Sequence, residues 1–252
     1  MLVHGRNRER GDQTVAEIRE ATGSDTVGLH LADLASLSQV EALADEVASR
    51  HGELDLLINN AGIGSGLPDS REREQSRDGY ELRFAVNYLA GFLLTDRLLP
   101  VLRRNAPARA VNVASLGQRA IDFDDPMLTH GYSGIRAYCQ SKLAQVMHAI
   151  ELSNRVSAAE VSANSLHPGT YMPTKIVLGE VGHSVDTLES GAANVVRLAI
   201  APELEGVSGQ FFDRGREAAA DPQAYDAEAR ARLWELSERL VAQALEPTAP
   251  PR

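Results

Sequence analysis

Apolar residues recur along this chain in two alternating forms: short, nearly continuous blocks, and longer stretches whose apolar positions fall at helical spacing. Leu2-Val3-His4 reads as the end of a buried strand, with Gly5-Arg6-Asn7-Arg8 as the turn leaving it. Residues 8–21 then predict a helix with Val15 and Ile18 inside and Gly23 as its stop. A β-rich run at 26–31 is closed by Asp33. Ser36-Leu37-Ser38-Gln39 has the form of a capping box, opening a helix that turns Val40, Leu43, Ala44 and Val47 inward and ends at Gly52.

Residues 54–58 form an apolar run of the kind found in strands covered on both faces, with Asn59-Asn60-Ala61-Gly62 at its carboxyl end. A charged stretch at 69–78 reads as solvated surface. A long helix at 81–104 follows, and Asn87 lies among its apolar residues Phe84, Leu89, Phe92, Leu93 and Leu98. Residues 110–114 are a strand ending at Ser115, and the polar segment 116–134 leads to a helix carrying Tyr138 and Lys142. Residues 161–166 are a strand broken by His167-Pro168-Gly169; a loop runs to about 186, a helix spans 188–200, and 209–212 is a last strand. From Asp226, Leu233, Leu236 and Leu240 mark an amphipathic helix, and Pro247, Pro250 and Pro251 predict a disordered tail over 246–252. The alternation predicts one α/β domain over 1–245, a doubly wound parallel sheet with helices on both faces and ligands beyond the carboxyl ends of the strands.

A net charge of -10 argues against nucleic acid or an anionic membrane as the natural partner. Cys139 is the single cysteine, so an internal disulfide framework is excluded and no thiolate metal cluster is offered. No signal-peptide pattern follows Met1 and no run of eighteen apolar residues occurs, so a cytoplasmic location is expected.

The candidate chemistry begins at Ala137-Tyr138-Cys139-Gln140-Ser141-Lys142. On a helix Tyr138 and Lys142 share a face one turn apart, and an ammonium beside a phenol favours phenolate, which would lower the tyrosine pKa. Tyr138 then becomes a candidate proton donor and acceptor. Asn60, Ser115 and Pro168-Gly169 all stand at the carboxyl ends of predicted strands, where chance would scatter them over both rims.

These residues resemble the short-chain dehydrogenase/reductases over nearly the whole chain, most closely the subgroup around retinol dehydrogenases and WW-domain oxidoreductases. The resemblance rests on Asn59-Asn60-Ala61-Gly62, on Asn87 in Val86-Asn87-Tyr88, on Ser115 after Val111-Asn112-Val113-Ala114, on Tyr138 with Lys142, and on Leu233-Trp234-Glu235-Leu236-Ser237. It implies hydride transfer between a nicotinamide cofactor and an alcohol, aldehyde or ketone. Asn87, Ser115, Tyr138 and Lys142 would be the catalytic set, with Lys142 also binding the nicotinamide ribose and Asn87 keeping its helix open for a water leading to Lys142. Asn60, Ala61 and Gly62 would line the cofactor groove, Asp33 and Leu34 flank the adenine, and Pro168, Gly169 and Thr174 meet the nicotinamide. Pro173 stands where the spacing usually puts the threonine. Arg6 suits the 2'-phosphate of NADP better than the 2'-hydroxyl of NAD; a solvated arginine beside Arg8 and Arg10 is the alternative. Residues 170–184, with Tyr171, Met172, Ile176, Val177 and Leu178, suggest an apolar substrate, and pairing through the helices that begin near Glu81 and Gly134 would give a homodimer or homotetramer.

One family feature is missing: the first strand and its Gly-rich turn, which would bring backbone amides to the cofactor pyrophosphate. Gly62-Ile63-Gly64-Ser65-Gly66 does not replace it, because it follows the Asn-Asn-Ala-Gly strand and lacks the spacing. The expectation is therefore a sheet lacking its first strand and helix, in which the strands carrying Arg6 and Asp33 lose a neighbour. Two functions remain open, an ordinary reductase and a catalytically idle binding or interaction protein; an epimerase or dehydratase using the same Tyr and Lys is a minor third.

Overall fold

Strand and helix alternate as the apolar pattern requires, in the order β1 (Leu2–Gly5), α1 (Arg8–Thr22), β2 (Gly28–Leu31), α2 (Leu37–Arg50) and β3 (Leu56–Asn59). After a π-helical turn (Phe84–Leu89) come α3 (Ala90–Arg104), β4 (Ala108–Val113), α4 (Gly134–Arg155) and β5 (Val161–His167). The chain closes with α5 (Lys175–Glu180), α6 (Leu188–Ile200), β6 (Phe211–Asp213), β7 (Arg216–Glu217) and α7 (Ala227–Leu245). This computed structural model describes residues 1–66, 70 and 72–246; the expected tail beyond Glu246, and Asp69 and Arg71 of the charged stretch, lie outside the described residues.

Local chemistry sets most of the helix ends. Asn7 caps α1 by accepting from Arg10 N at 2.9 Å, and Gly23 stops it in the left-handed conformation at φ 68. The capping box expected at α2 does not form. Ser36 Oγ meets Ser38 Oγ, Gln39 Oε1 accepts from Asp33 N, and Asp78 reaches over to accept from Leu37 N at 3.1 Å. A distant carboxylate therefore serves this helix start, and the segment 72–78 is folded rather than simply solvated. Glu74 pairs with buried Arg83, and Ser76 is itself buried. Asp226, from which this helix is expected, caps α7.

The parallel strands fall into two sheets. β1 and β2 pair alone, while β3-β4-β5-β6 run parallel and β7 adds an antiparallel edge. β3 is thus an edge strand, which corrects the expectation of a strand covered on both faces: Ile58 is 37% exposed. β1 is half-buried, not buried. Their packing loses the atoms a flanking strand would supply. Both sheets are tied by one apolar cluster, in which Leu2 of β1 and Leu57 of β3 pack with Ala32, Leu43, Val47 and Leu98. Burial of that cluster, at about 1.5–3 kcal/mol per large apolar side chain, does the joining that strand hydrogen bonds do elsewhere.

Residues Phe84–Arg104 are long and apolar enough to cross a bilayer by composition, and here they pack in the core. α4 is buried from Gln140 through Ile150 because β4, β5, the π-helical turn and α7 all pack on it. Trp234 of α7 meets Phe92 edge-on at 5.0 Å, His148 at 5.8 Å and the guanidinium of Arg155 at 4.1 Å. Leu233, Leu236 and Leu240 are buried beside it.

Candidate active site

The turn at Phe84–Leu89 is where the long helix opens. A π-helical turn widens the backbone ring, and Asn87, 2% exposed, uses the room to bridge three elements. Its Nδ2 donates to Ile63 O at 3.1 Å and to Ser141 Oγ at 2.9 Å, and its Oδ1 accepts from Ile63 N at 2.8 Å. The opening expected at Asn87 is present. Its amide holds the loop after β3 against the Tyr138 helix.

Ser115 and Tyr138 meet at the carboxyl end of β4. Ser115 Oγ accepts from Gly117 N at 3.0 Å, and a β-carbon at Gly117 would stand 3.5 Å from Ser115 Oγ and 3.7 Å from the Tyr138 ring. Tyr138 is half-buried, and burial raises its pKa above the ordinary value; the neighbouring Ser115 hydroxyl opposes this, while Cys139, Glu180 and Tyr171 add to it. This corrects the expectation that Lys142 depresses the phenol. Lys142 lies one turn along α4, with Nζ 5.7 Å from the Tyr138 ring centroid, but it donates to Val113 O and Gln145 Oε1, both at 2.9 Å. Complete burial lowers its pKa to about 8. Gly62 packs over the same ammonium, where a β-carbon would stand 3.1 Å from Asn87 Oδ1 and 3.7 Å from Lys142 Nζ.

The remaining expected residues are spread more widely. Pro168 and Gly169 are buried at the end of β5, with Pro168 O held by Asn194. Asn60 and Ala61 are exposed at the end of β3, while Asn59 turns inward to Thr95 and Asn112 at 3.0 and 2.9 Å. Arg6 is exposed past β1. Asp33 accepts from Ala35 N and pairs with Arg77 at 3.5 Å; Leu34 packs on the core. Thr174 caps α5 by accepting from Val177 N at 3.3 Å, which leaves its O–H free to donate. Ser115, Tyr138, Lys142, Asn87 and Gly62 form one constellation; Arg6 and Asp33 belong to the separate two-stranded sheet.

Sequence reasoning missed α5 and the carboxylate at its end. Residues 170–186 were expected as loop, and α5 has no buried residue whose spacing would reveal it. Glu180 reaches the loop after β3, accepting from Ser65 N at 3.1 Å, Ser65 Oγ at 3.0 Å and Gly66 N at 2.9 Å. At the base of this excursion Asp186 accepts from Thr170 N at 2.7 Å and pairs with Arg214 at 2.9 Å.

Residues 1–179 match the sequence profile of the family described as short chain dehydrogenase. The chain belongs to this family. It is similar to retinol dehydrogenase 13 of Homo sapiens, 38% identical over 96% of this chain and 76% of the relative. It is also similar to the WW domain-containing oxidoreductase of Pongo abelii, 32% identical over 97% of this chain and 63% of that protein. Among solved structures, an uncharacterized protein from Mycobacterium paratuberculosis superposes with a TM-score of 0.73 at 29% identity, covering 96% of this chain and 83% of that one. A gluconate 5-dehydrogenase from Burkholderia cenocepacia, solved with NADP and tartrate, shares the fold with a TM-score of 0.65 at 20% identity, over 90% and 85% of the two chains. The doubly wound fold and the retinol-dehydrogenase-like subgroup read from the sequence both stand, and with them an oxidoreductase acting on CH-OH groups.

Proposed function

We propose that this protein interconverts an apolar alcohol and its aldehyde or ketone by hydride transfer, with NADP preferred to NAD and Tyr138 moving the proton. The observation that carries the reading is the meeting of the Ser115 and Tyr138 side chains beside Gly117 at the carboxyl end of β4, with buried Lys142 one turn along the Tyr138 helix.

The chemistry follows from charge. As a carbonyl is reduced, negative charge grows on its oxygen, and the Ser115 hydroxyl would donate to it. Tyr138 delivers the proton. Its raised pKa keeps the phenol protonated near neutral pH, the state a proton donor to a carbonyl needs. Lys142, with a pKa near 8, exchanges a proton in the same range and can reset the tyrosine. A bound nicotinamide supplies the hydride, which no side chain can give. Lys142 and Tyr138 would hold the ribose end of such a group, with Pro168 and Gly169 beside the ring. Arg6, exposed and cationic, would meet a 2'-phosphate, with Asp33 and Leu34 near the adenine. The names of the retinol dehydrogenase relatives and the apolar residues Tyr171, Met172, Ile176, Val177 and Leu178 support an apolar substrate.

A second reading, an idle fold that binds without turnover, is favoured by the unpartnered edges of β1 and β3 and by the glycine-rich run 62–66, which holds a carboxylate. Following NADPH absorbance with a panel of aldehydes and ketones separates the two. The proposal expects carbonyl-dependent oxidation of NADPH. No turnover, together with no NADPH binding at millimolar concentration in a fluorescence titration, supports the idle fold.

A further inference from the structure

The run Gly62-Ile63-Gly64-Ser65-Gly66 lacks the spacing of a phosphate-binding turn, yet it binds an anion, and that anion is part of the chain itself. Three donors converge on Glu180: the amides of Ser65 and Gly66 and the Ser65 hydroxyl, all within 3.1 Å of its carboxylate. Gly64 makes the approach possible. A β-carbon there would collide with the Glu180 carboxylate, and only hydrogen leaves it room. The loop itself is fixed from beneath, because buried Arg83 donates to Gly64 O at 3.0 Å while also bonding Tyr132 and pairing with Glu74.

α5 has little else to hold it. It buries no residue, and Ile176 and Leu178 are exposed. The base of the excursion is pinned separately, by Val185 N to Tyr171 O at 2.9 Å, Asp186 N to Thr170 O at 3.0 Å, and the Asp186–Arg214 pair. A segment fastened firmly at its base and by one carboxylate at its far end is a hinged cover. Its latched end lies beside the catalytic constellation, because Ser65 and Gly66 closely follow Gly62, where a β-carbon would stand 3.7 Å from Lys142 Nζ.

We propose that Glu180 is the latch that holds α5 closed over the mouth in front of Tyr138, and that substrate enters by opening it. The entry role rests on the catalytic reading of Tyr138; the latch does not. Opening moves the Glu180 carboxylate to water and frees the Ser65 and Gly66 donors, so the cost is a few charge-assisted hydrogen bonds rather than a packed core.

Amide hydrogen exchange on the full chain tests the latch without any turnover. In Glu180→Ala, the amides of Ser65, Gly66, Leu178 and Val181 should exchange about 10- to 100-fold faster, while Val185 and Asp186 at the base keep their rates. Gly64→Ala should do the same, because its new methyl displaces the carboxylate at the end of a flexible side chain. Unchanged exchange in both variants, or a base that loosens together with the tip, overturns the latch. For entry, Glu180→Ala should raise kcat/KM for a bulky carbonyl relative to a small one by about tenfold, since the larger molecule needs the wider opening. An equal change for both overturns the entry role. Absence of turnover in the unsubstituted protein instead defeats the catalytic reading and leaves the exchange result to decide the latch.

Discussion

Lys142 Nζ donates to the carbonyl oxygen of Val113 at 2.9 Å, so the ammonium that the sequence places beside Tyr138 is engaged with the end of β4. The phenol is left to its own surroundings, and burial dominates them.

The first consequence is a titration. Tyr138 in the ligand-free protein should ionise above the ordinary tyrosine value of about 10. The difference between the alkaline absorbance titrations of the unsubstituted protein and Tyr138→Phe isolates this one group. A transition well below pH 10 in the unsubstituted protein that is lost in Tyr138→Phe would show that Lys142 governs the phenol after all.

His148 gives a stability dependence of definite sign. It is buried among Tyr88, Phe92 and Trp234, with Nδ1 3.2 Å from Asn112 Nδ2, and burial lowers its pKa to about 4. Between that value and the unfolded value of about 6.5, the unfolded chain binds a proton that the native state refuses. Stability from this group is therefore complete above about pH 6.5 and falls as pH drops towards 4, by about 3 kcal/mol in all. Urea denaturation at pH 7 and pH 5 should show a smaller loss for His148→Gln than for the unsubstituted protein. Equal losses would mean the histidine titrates normally.

Trp234 fastens α7 across α4. Replacing it with alanine removes the contacts to Phe92, His148 and Arg155 and should cost about 2–3 kcal/mol, below the usual range for a fully buried tryptophan because the ring is only partly covered. The urea midpoint measures this. A change below about 0.5 kcal/mol, the scale of ordinary surface substitutions, would mean that α7 is held by its leucines alone.

The parts of this structure legible in the sequence are those whose causes are local. Val40, Leu43, Ala44 and Val47 repeat at helical spacing and are buried as that spacing requires; Gly23 and Asp226 end and begin helices through their own backbone and side chain. Ser115, Tyr138 and Lys142 meet because a strand end and the next helix start must share a rim. What escaped the sequence depends on partners far along the chain. β3 has the apolar run of an interior strand, but its exposure is decided by which strands flank it. Ser36 and Gln39 have the residues of a capping box, but Asp78 takes the helix start and Gln39 turns to Asp33. Lys142 has the right spacing for Tyr138, but a carbonyl and Gln145 compete for its protons. Glu180 contacts a loop 115 residues earlier, and no periodicity announces that.

Tyr138 is proposed to move the proton for an alcohol–carbonyl interconversion. The most direct test is NADPH-dependent carbonyl reduction by Tyr138→Phe, with cofactor affinity measured on the same sample. Loss of a general acid should lower kcat by about 100-fold or more while NADPH affinity stays within about twofold. Turnover equal to that of the unsubstituted protein would contradict the claim.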